Sequence, residues 1–342
     1  MNRLDYLLRR IFLIIPTFLG ITFLCFSICR FVPGGPVEQA LANMRGGNNP
    51  NNVTMQTQIS QAQIQQLRKH YGFDKPLLIA YKDWLSDGIG MNTPSFKFPN
   101  KTAWQLISSR FNISLIFGIT GFILTYLICI PLGIIKALKN GGRFDMFSSL
   151  IIFVGYSIPS FAFGMLLKML FCGTSDKFFD FFPVAGFTSS NFEQLSWYGQ
   201  LVDISMHMAL PVLCYVIGNF AVLTILMKNS LLEEISKEYI RTVLAKGATL
   251  NRAIWFHALR NALIPLATGL GSILTLMFSG AVLIEQVFEI PGMGRLSLDA
   301  IVSRDYPVFM GILALTSILG LLGRVLSDVL YMIIDPRIDL GK

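Results

Sequence analysis

The chain has 342 residues, of which 53% are hydrophobic and only 14% charged. A soluble domain carries about 25% charged residues, so a water-soluble enzyme or nucleic-acid-binding domain is excluded. The net charge of +8 is then read as membrane topology. The five cysteines, Cys25, Cys29, Cys129, Cys172 and Cys214, sit mostly in apolar runs without pairing or metal spacing, and read as small hydrophobes.

Arg9-Arg10 precede an apolar run from Ile11 to Ile28. A signal peptide would have a shorter hydrophobic core and a small-x-small cleavage site. Here Arg30-Phe-Val-Pro-Gly-Gly-Pro36 follows instead, so residues 10–31 are expected to be a retained first span. Residues 32–103 are polar enough to leave the membrane. Gly46–Asn52 reads as a loop, Ser60 with Gln63 as a capping box opening a helix to about His70, and Gly72 as its break. Leu77, Leu78, Tyr81, Trp84 and Leu85 then make an apolar stripe at helical spacing. The expectation is an external helical lobe.

Trp104, Ile107 and Phe111 predict an interfacial helix leading into span two, about 113–135. Lys136-Ala-Leu-Lys139-Asn-Gly-Gly-Arg143 is a short basic loop. Span three, about 146–170, contains Tyr156-Ser157-Ile158-Pro159-Ser160, where the proline predicts a kink. Residues 171–204 return outside, with Trp197 and Tyr198 placed for an interfacial belt. Span four covers about 205–227, span five about 263–287 and span six about 308–333. Between spans five and six, Phe288–Arg295 reads as a short external turn. The expected inside segments gather Arg3, Arg9, Arg10, Lys136, Lys139, Arg143, Lys228, Lys237, Arg241, Lys246, Arg252, Arg260, Arg337 and Lys342. The two short outside loops hold Lys177, Arg295 and Arg304. Six spans with both termini inside satisfy the positive-inside rule.

Among charged residues, Lys168, Glu285, Arg324 and Asp328 fall within or at the edge of spans. Lys168 and Glu285 lie near outer ends, where snorkelling is the plain reading. Arg324 and Asp328 are one turn apart and read as an ion pair. A proton-driven transporter needs a deep chain of titratable groups, and none is visible.

The longest charged stretch between two strongly hydrophobic ones is residues 229–266. Leu232, Ile235, Tyr239 and Val243 recur at helical spacing within it, as do Ile254, Ala258 and Ala262. Gly247 falls between the two patterns, where a positive φ would end one helix and turn the chain. Two amphipathic helices joined at a glycine make a protrusion for another protein to grip; the plainer reading is a loop packed on its own bundle.

Glu238-x-x-Arg241-Thr242-x-x-Ala245-Lys246-Gly247, with Arg252 and then His257-Ala-Leu-Arg260-Asn261-Ala-Leu-Ile-Pro265, resembles the coupling loop of ABC importer permeases of the dipeptide and oligopeptide branch. The resemblance extends to Arg9-Arg10 with Pro16-Thr17 and Gly20, Pro33-Gly34-x-Pro36, the lobe stretch Leu67–Tyr81, Gly280–Phe288, Pro291-Gly-Met-Gly294, Arg304-Asp-Tyr-Pro307 and Asp335-Pro-Arg337. Tyr156-Ser-Ile-Pro-Ser-Phe, Phe182-Pro183, Asn191-Phe-x2-Leu-Ser-Trp197, Lys228-Asn-Ser and the tail 335–339 are similar to the Yej-type subfamily, associated with oligopeptides and the peptide antibiotic microcin C. Val243-Leu244, replacing a small-basic pair, and Pro291-Gly-Met-Gly294 depart from that pattern.

The resemblance implies an all-α polytopic membrane protein of the type I ABC importer permease fold. The N-terminus and first span would occupy 1–31, an external periplasmic lobe 32–103, and a permease core with five transmembrane helices 104–342, containing the coupling loop 229–266. It implies a non-enzymatic membrane subunit that imports peptides across the bacterial inner membrane. Its partners would be a second homologous permease, two ABC ATPase subunits carrying ATP and Mg, and a periplasmic or lipid-anchored solute-binding protein. No cofactor, metal or nucleic acid is expected on this chain, which lacks a Gly-x4-Gly-Lys-Ser/Thr phosphate loop. Glu238, Arg241, Thr242, Ala245, Lys246, Gly247, Arg252, His257, Arg260, Asn261 and Pro265 are the expected coupling residues, with Glu238 and Arg241 facing either each other or the ATPase. Tyr156, Ser157, Pro159 and Ser160 are expected along the translocation path. The alternatives are a secondary transporter or channel, for which ion-coupling residues are scarce, and a membrane enzyme or scaffold, for which no acidic or histidine cluster is present.

Overall fold

The structure is a computed structural model; it describes residues 3–38, 41, 61–70, 72–173, 179–267, 269 and 281–334. Its named elements are helical: α1 (Arg3–Phe31), α2 (Gln61–His70), α3 (Leu77–Ser86), α4 (Ala103–Leu138), α5 (Arg143–Ser157), α6 (Ser160–Phe171), α7 (Trp197–Ser236), α8 (Glu238–Ala245), α9 (Leu250–Ala253), a π-helical turn (Ile254–Ala258), α10 (Leu259–Ala262), α11 (Val282–Val287), α12 (Met293–Val302) and α13 (Tyr306–Ile334). Among the described residues, four helices, α1, α4, α7 and α13, contain stretches long and apolar enough to cross a membrane; α5 and α6 make a fifth span if taken as one broken crossing. The protein is an all-α polytopic membrane protein. Most of the expected fifth span, the Gly46–Asn52 tract, Ser60 and the tail from Asp335 lie outside the described residues.

Contacts divide the chain into two compact units, Met1–Ile11 with Phe111–Arg295 and Leu319–Lys342, and Phe12–Arg110 with Leu296–Ile318. In the second unit, Tyr81 of α3 is buried against α1: its hydroxyl lies 2.8 Å from Thr22 Oγ1, and its ring meets Phe23 and Phe26 edge-on. Trp84 stacks on Tyr81. Leu78 departs from the expected stripe, being 70% exposed, while Ala80 takes a buried place. Gly72 has φ +70° and ends α2 as expected. Its carbonyl and that of Lys75 accept hydrogen bonds from Arg30, whose guanidinium lies over Phe73. Asp305 accepts from the Ser95 hydroxyl and the Phe96 amide, fastening that loop to the start of α13. A cavity of about 340 Å³ remains among α1, α3 and the first turn of α13. The expected interfacial helix and span two are one continuous helix, α4.

In the first unit, an apolar core gathers Phe117, Leu167, Met208, Val212, Cys214 and Phe288. The expected kink at Pro159 is a full break, with α5 and α6 meeting at 93°. Proline disfavours a helical residue before it: Ile158 is extended, at φ −93° and ψ 122°. Pro159, at ψ 133°, becomes the N-cap of α6, and its carbonyl accepts from the Phe163 amide at 3.0 Å.

Three expectations for intramembrane charges are corrected here. Lys168 does not snorkel; its Nζ donates to the Val287 carbonyl at 2.9 Å and lies 3.6 Å from Glu289. Glu285 is 1% exposed. Its carboxylate accepts from the Arg295 amide at 2.8 Å, the Ala281 amide and the Ser114 hydroxyl. Ser114 Oγ in turn accepts from the Met293 amide at 2.7 Å. An anion held by the free amides of a helix start is favourable, so Glu285 anchors the first turn of α12, which begins inside the expected external turn. Asp328 pairs with Arg10 at 3.0 Å, and not with Arg324.

Candidate functional site

The charged region 229–266 is built on the end of α7. That helix runs 40 residues without interruption, through the expected fourth span and on to Ser236. Lys237, at ψ 149°, stops it and starts α8. Glu234, only 8% exposed, organises the corner. Its carboxylate accepts from Lys237 Nζ and from the Tyr239 hydroxyl, the latter at 2.6 Å. Asn261 Nδ2 donates to Tyr239 Oη at 3.2 Å and to Glu234 Oε2 at 3.5 Å. One carboxylate thus joins α7, α8 and α10. Burial and the bond to Glu234 push the Tyr239 phenol up to about 12. The Glu234 carboxylate beside Lys237 likewise raises the lysine.

Beneath this corner, Ile134, Met227, Leu231, Ile240, Ile254 and Leu266 form a core with Ala253, Ala258 and Ala262. The three alanines are fully buried, and their small side chains let the second helical segment lie close to α7. Leu232, Ile235, Tyr239 and Val243 pack on the same core. Both apolar stripes expected from the sequence therefore face inward.

Gly247 has φ +87°. Its amide donates to the Leu244 carbonyl at 2.9 Å and the Ala248 amide to the Val243 carbonyl at 3.3 Å, which is a Schellman termination of α8. Thr249 Oγ1 then accepts from the Arg252 amide and caps α9. The π-helical turn widens the backbone by one residue and leaves Trp255, Phe256 and His257 consecutively exposed.

Among the predicted coupling residues, Glu238, Arg241, Thr242, Ala245, Lys246, Gly247, Arg252, His257 and Arg260 are exposed on this protrusion, beside Leu244, Leu250, Trp255 and Phe256. Asn261 and Pro265 are half-buried; the Asn261 side chain faces Glu234 and Tyr239. Arg241 Nη1 meets Glu238 Oε1 at 2.9 Å, with both side chains mostly exposed. Such a pair contributes little, so both remain open to an external partner. Tyr156, Ser157, Pro159 and Ser160 lie apart from this site, at the break between α5 and α6. Tyr156 is exposed, Ser157 Oγ donates to the Phe153 carbonyl at 2.8 Å, and Ser160 packs near Gly218.

The sequence reading missed two groups. Glu234 is one acidic residue among several, and only the fold selects it. Lys136, Asp145 and Lys228 also meet in the interior, although Lys136 reads as a solvated loop charge.

A family model described as "Binding-protein-dependent transport system inner membrane component" matches residues 129–340. The chain is 39% identical to the inner membrane ABC transporter permease protein YejB of Escherichia coli O157:H7, with 98% of each chain covered. It is 38% identical to the peptidoglycan transport system permease protein YejB of Agrobacterium fabrum, again over 98% of each. It is 34% identical over 98% of each to the dipeptide transport system permease protein DppB of Escherichia coli K12. With its apolar helices and this match over most of its length, the chain belongs to the inner-membrane permease components of binding-protein-dependent ABC transport systems.

Proposed function

We propose that this chain is the transmembrane permease of an ATP-driven importer of short peptides. The observation that carries this reading is the protrusion 238–262, whose inner face is closed on α7 and whose outer face presents mixed charges around Trp255 and Phe256. A surface with apolar anchors and a charged rim suits docking to another protein. An ATPase pair is the partner proposed there, with ATP and Mg held by those subunits. A second, related permease and an external solute-binding protein complete the complex, and both termini of this chain face the cytoplasm. Closure of the ATPases moves residues 229–266, and the membrane helices reorient around a path that includes Tyr156, Ser157, Pro159 and Ser160.

The substrate class is taken from the relatives, two of whose names specify dipeptide and peptidoglycan transport. Short peptides are the first reading and peptide-bearing peptidoglycan fragments the second. The test is uptake into proteoliposomes holding the whole complex and its solute-binding protein. Labelled peptide should enter only when ATP is supplied to the ATPase side, and a protonophore should leave the rate unchanged. Uptake driven by an ion gradient in vesicles lacking the ATPases would overturn the proposal.

A further inference from the structure

Three charged side chains meet inside the first unit where α4, α5 and α7 come together. Lys136, in the last turn of α4, is 1% exposed. A lysine at a membrane helix end ordinarily carries its ammonium to water. This one turns inward. Its Nζ donates to the Asp145 carbonyl at 3.0 Å, to Ser148 Oγ at 2.8 Å and to Ser149 Oγ at 2.7 Å, and lies 3.0 Å from Asp145 Oδ1. All of these oxygens belong to the first two turns of α5. Asp145 Oδ2 accepts from Lys228 Nζ at 2.7 Å and from the Gly141 amide at 3.1 Å. Lys228 stands on α7 beside Met227, which is fully buried against the core of the 238–262 protrusion.

Helix α7 is therefore held on two sides. Met227 and Leu231 bind it to the protrusion through an apolar core, and the half-buried Lys228 binds it to α5 through the buried Asp145 carboxylate. Helix α5 leads directly to the break at Pro159. The acceptors around Lys136 converge only with α5 in this register. A shift of α5 along α4 would remove several of them together and leave a buried ammonium without partners, which is costly. Intermediate positions are therefore disfavoured, which favours discrete arrangements of α5 over a continuous slide.

We propose that Lys136, Asp145 and Lys228 form the joint through which movement of the 238–262 protrusion reaches the broken helix pair α5–α6. They are positioning residues for transport and contact neither nucleotide nor substrate. The inference rests on the transport reading above, so its test includes a readout independent of the substrate.

The whole complex is reconstituted with Asp145→Asn, Lys228→Arg and the double variant Asp145→Asn/Lys228→Met. Peptide imported per ATP hydrolysed is measured. So is the distance between nitroxides at Ile128 on α4 and Val154 on α5, with and without trapped nucleotide. In Asp145→Asn, import per ATP should fall about tenfold, within the range of ordinary coupling energies, and the nucleotide-dependent distance change should disappear. Lys228→Arg keeps the charge and should keep both. The double variant returns the cluster to its wild-type net charge by deleting one of the two ammoniums left without a carboxylate, while the joint stays broken. It should restore protein abundance if Asp145→Asn lowers it, while import per ATP and the distance change stay lost. Normal import per ATP in the double variant, or an unchanged distance response in Asp145→Asn, would overturn the joint. A wild-type complex whose distances respond to nucleotide but which imports no peptide would contradict the substrate reading and leave the joint standing.

Discussion

Arg10, at the start of the chain, meets Asp328 on the last helix at 3.0 Å, although Arg324 lies one turn from Asp328 on the same helix. Asp328 is mostly buried, with 12% of its side chain exposed, and Arg10 is 41% exposed. Losing a partner from a fully buried pair costs roughly 3–5 kcal/mol. The exposure of Arg10 reduces this to about 1–2 kcal/mol by solvent screening. Arg10→Ala should therefore lower the melting temperature in detergent, Arg324→Ala should have a smaller effect, and Asp328→Asn should recover part of the Arg10→Ala loss. Equal effects of the two arginine variants would refute the pairing.

Gly247 terminates α8 at φ +87°, and a Cβ at this position would meet no heavy atom within 4 Å. A substitution there is penalised by backbone conformation alone. Gly247→Val should strain the turn by about 1–2 kcal/mol and reduce peptide-stimulated ATP hydrolysis without loss of membrane insertion. Gly247→Asn should stay near wild type, because asparagine tolerates the left-handed region. Normal import and stimulation in Gly247→Val would show that this turn does not transmit the ATPase signal.

The close approach of Gly292 and Gly294 to Glu285 explains both glycines. A Cβ at Gly292 would lie 2.5 Å from the Glu285 carboxyl carbon, and one at Gly294 would lie 2.8 Å from the Val282 amide nitrogen. Gly292→Ala should displace the carboxylate from the start of α12. Glu285→Ala strips the same amides of their acceptor, at about 1–3 kcal/mol for each left unsatisfied. The two changes should be strongly non-additive in thermal stability, since each abolishes the same contact. Additive losses would mean that Gly292 acts elsewhere.

The corner at Tyr239 makes a prediction about pH. Burial and the bond to Glu234 raise the phenol to about 12, above its ordinary value of about 10. A group whose folded pKa is raised contributes stability that is full below the unfolded value and lost as pH climbs through the folded one. Cleavage by a protease at the 238–262 protrusion should therefore be insensitive to this group between about pH 6 and 9, and should accelerate from about pH 10 to 12. Tyr239→Phe should remove that alkaline component. Its persistence at full size in the variant would assign the transition to another group.

Periodicity and single-residue chemistry carried much of the structure into view. Ile254, Ala258 and Ala262 recur at helical spacing and are buried together, and a glycine between two amphipathic patterns takes the positive φ that ends a helix. The break at Pro159 was legible in kind but not in size, because a proline specifies a lost hydrogen bond and leaves the angle to packing. Buried charges were the least legible. Lys136 stands in a run of lysine, glycine and arginine that reads as solvated, and its neighbour Asp145 pairs with Lys228, 83 residues further along. Glu285 looked like a boundary residue because its ligands are backbone amides, which leave no mark in composition. The motif singled out residues that the structure leaves exposed, among them Glu238, Arg241 and Lys246; the corner that holds them, Glu234 with Tyr239 and Asn261, depends on three segments meeting.

Helix α7 has a mechanical consequence. Its 40 residues make a rod of about 60 Å at 1.5 Å per residue, roughly twice the thickness of the hydrocarbon layer. Rotating such a rod by about 5° about one end sweeps the other through about 5 Å, close to the pitch of one helical turn. Pro211, rather more than a third of the way along, offers no amide to the otherwise continuous ladder, while Val212–Ser236 runs on without another proline. Bending would then be easiest at Pro211, and the residues beyond it would behave as a beam, so that a displacement of a few ångströms at the Glu234 corner would be carried along the helix with little attenuation.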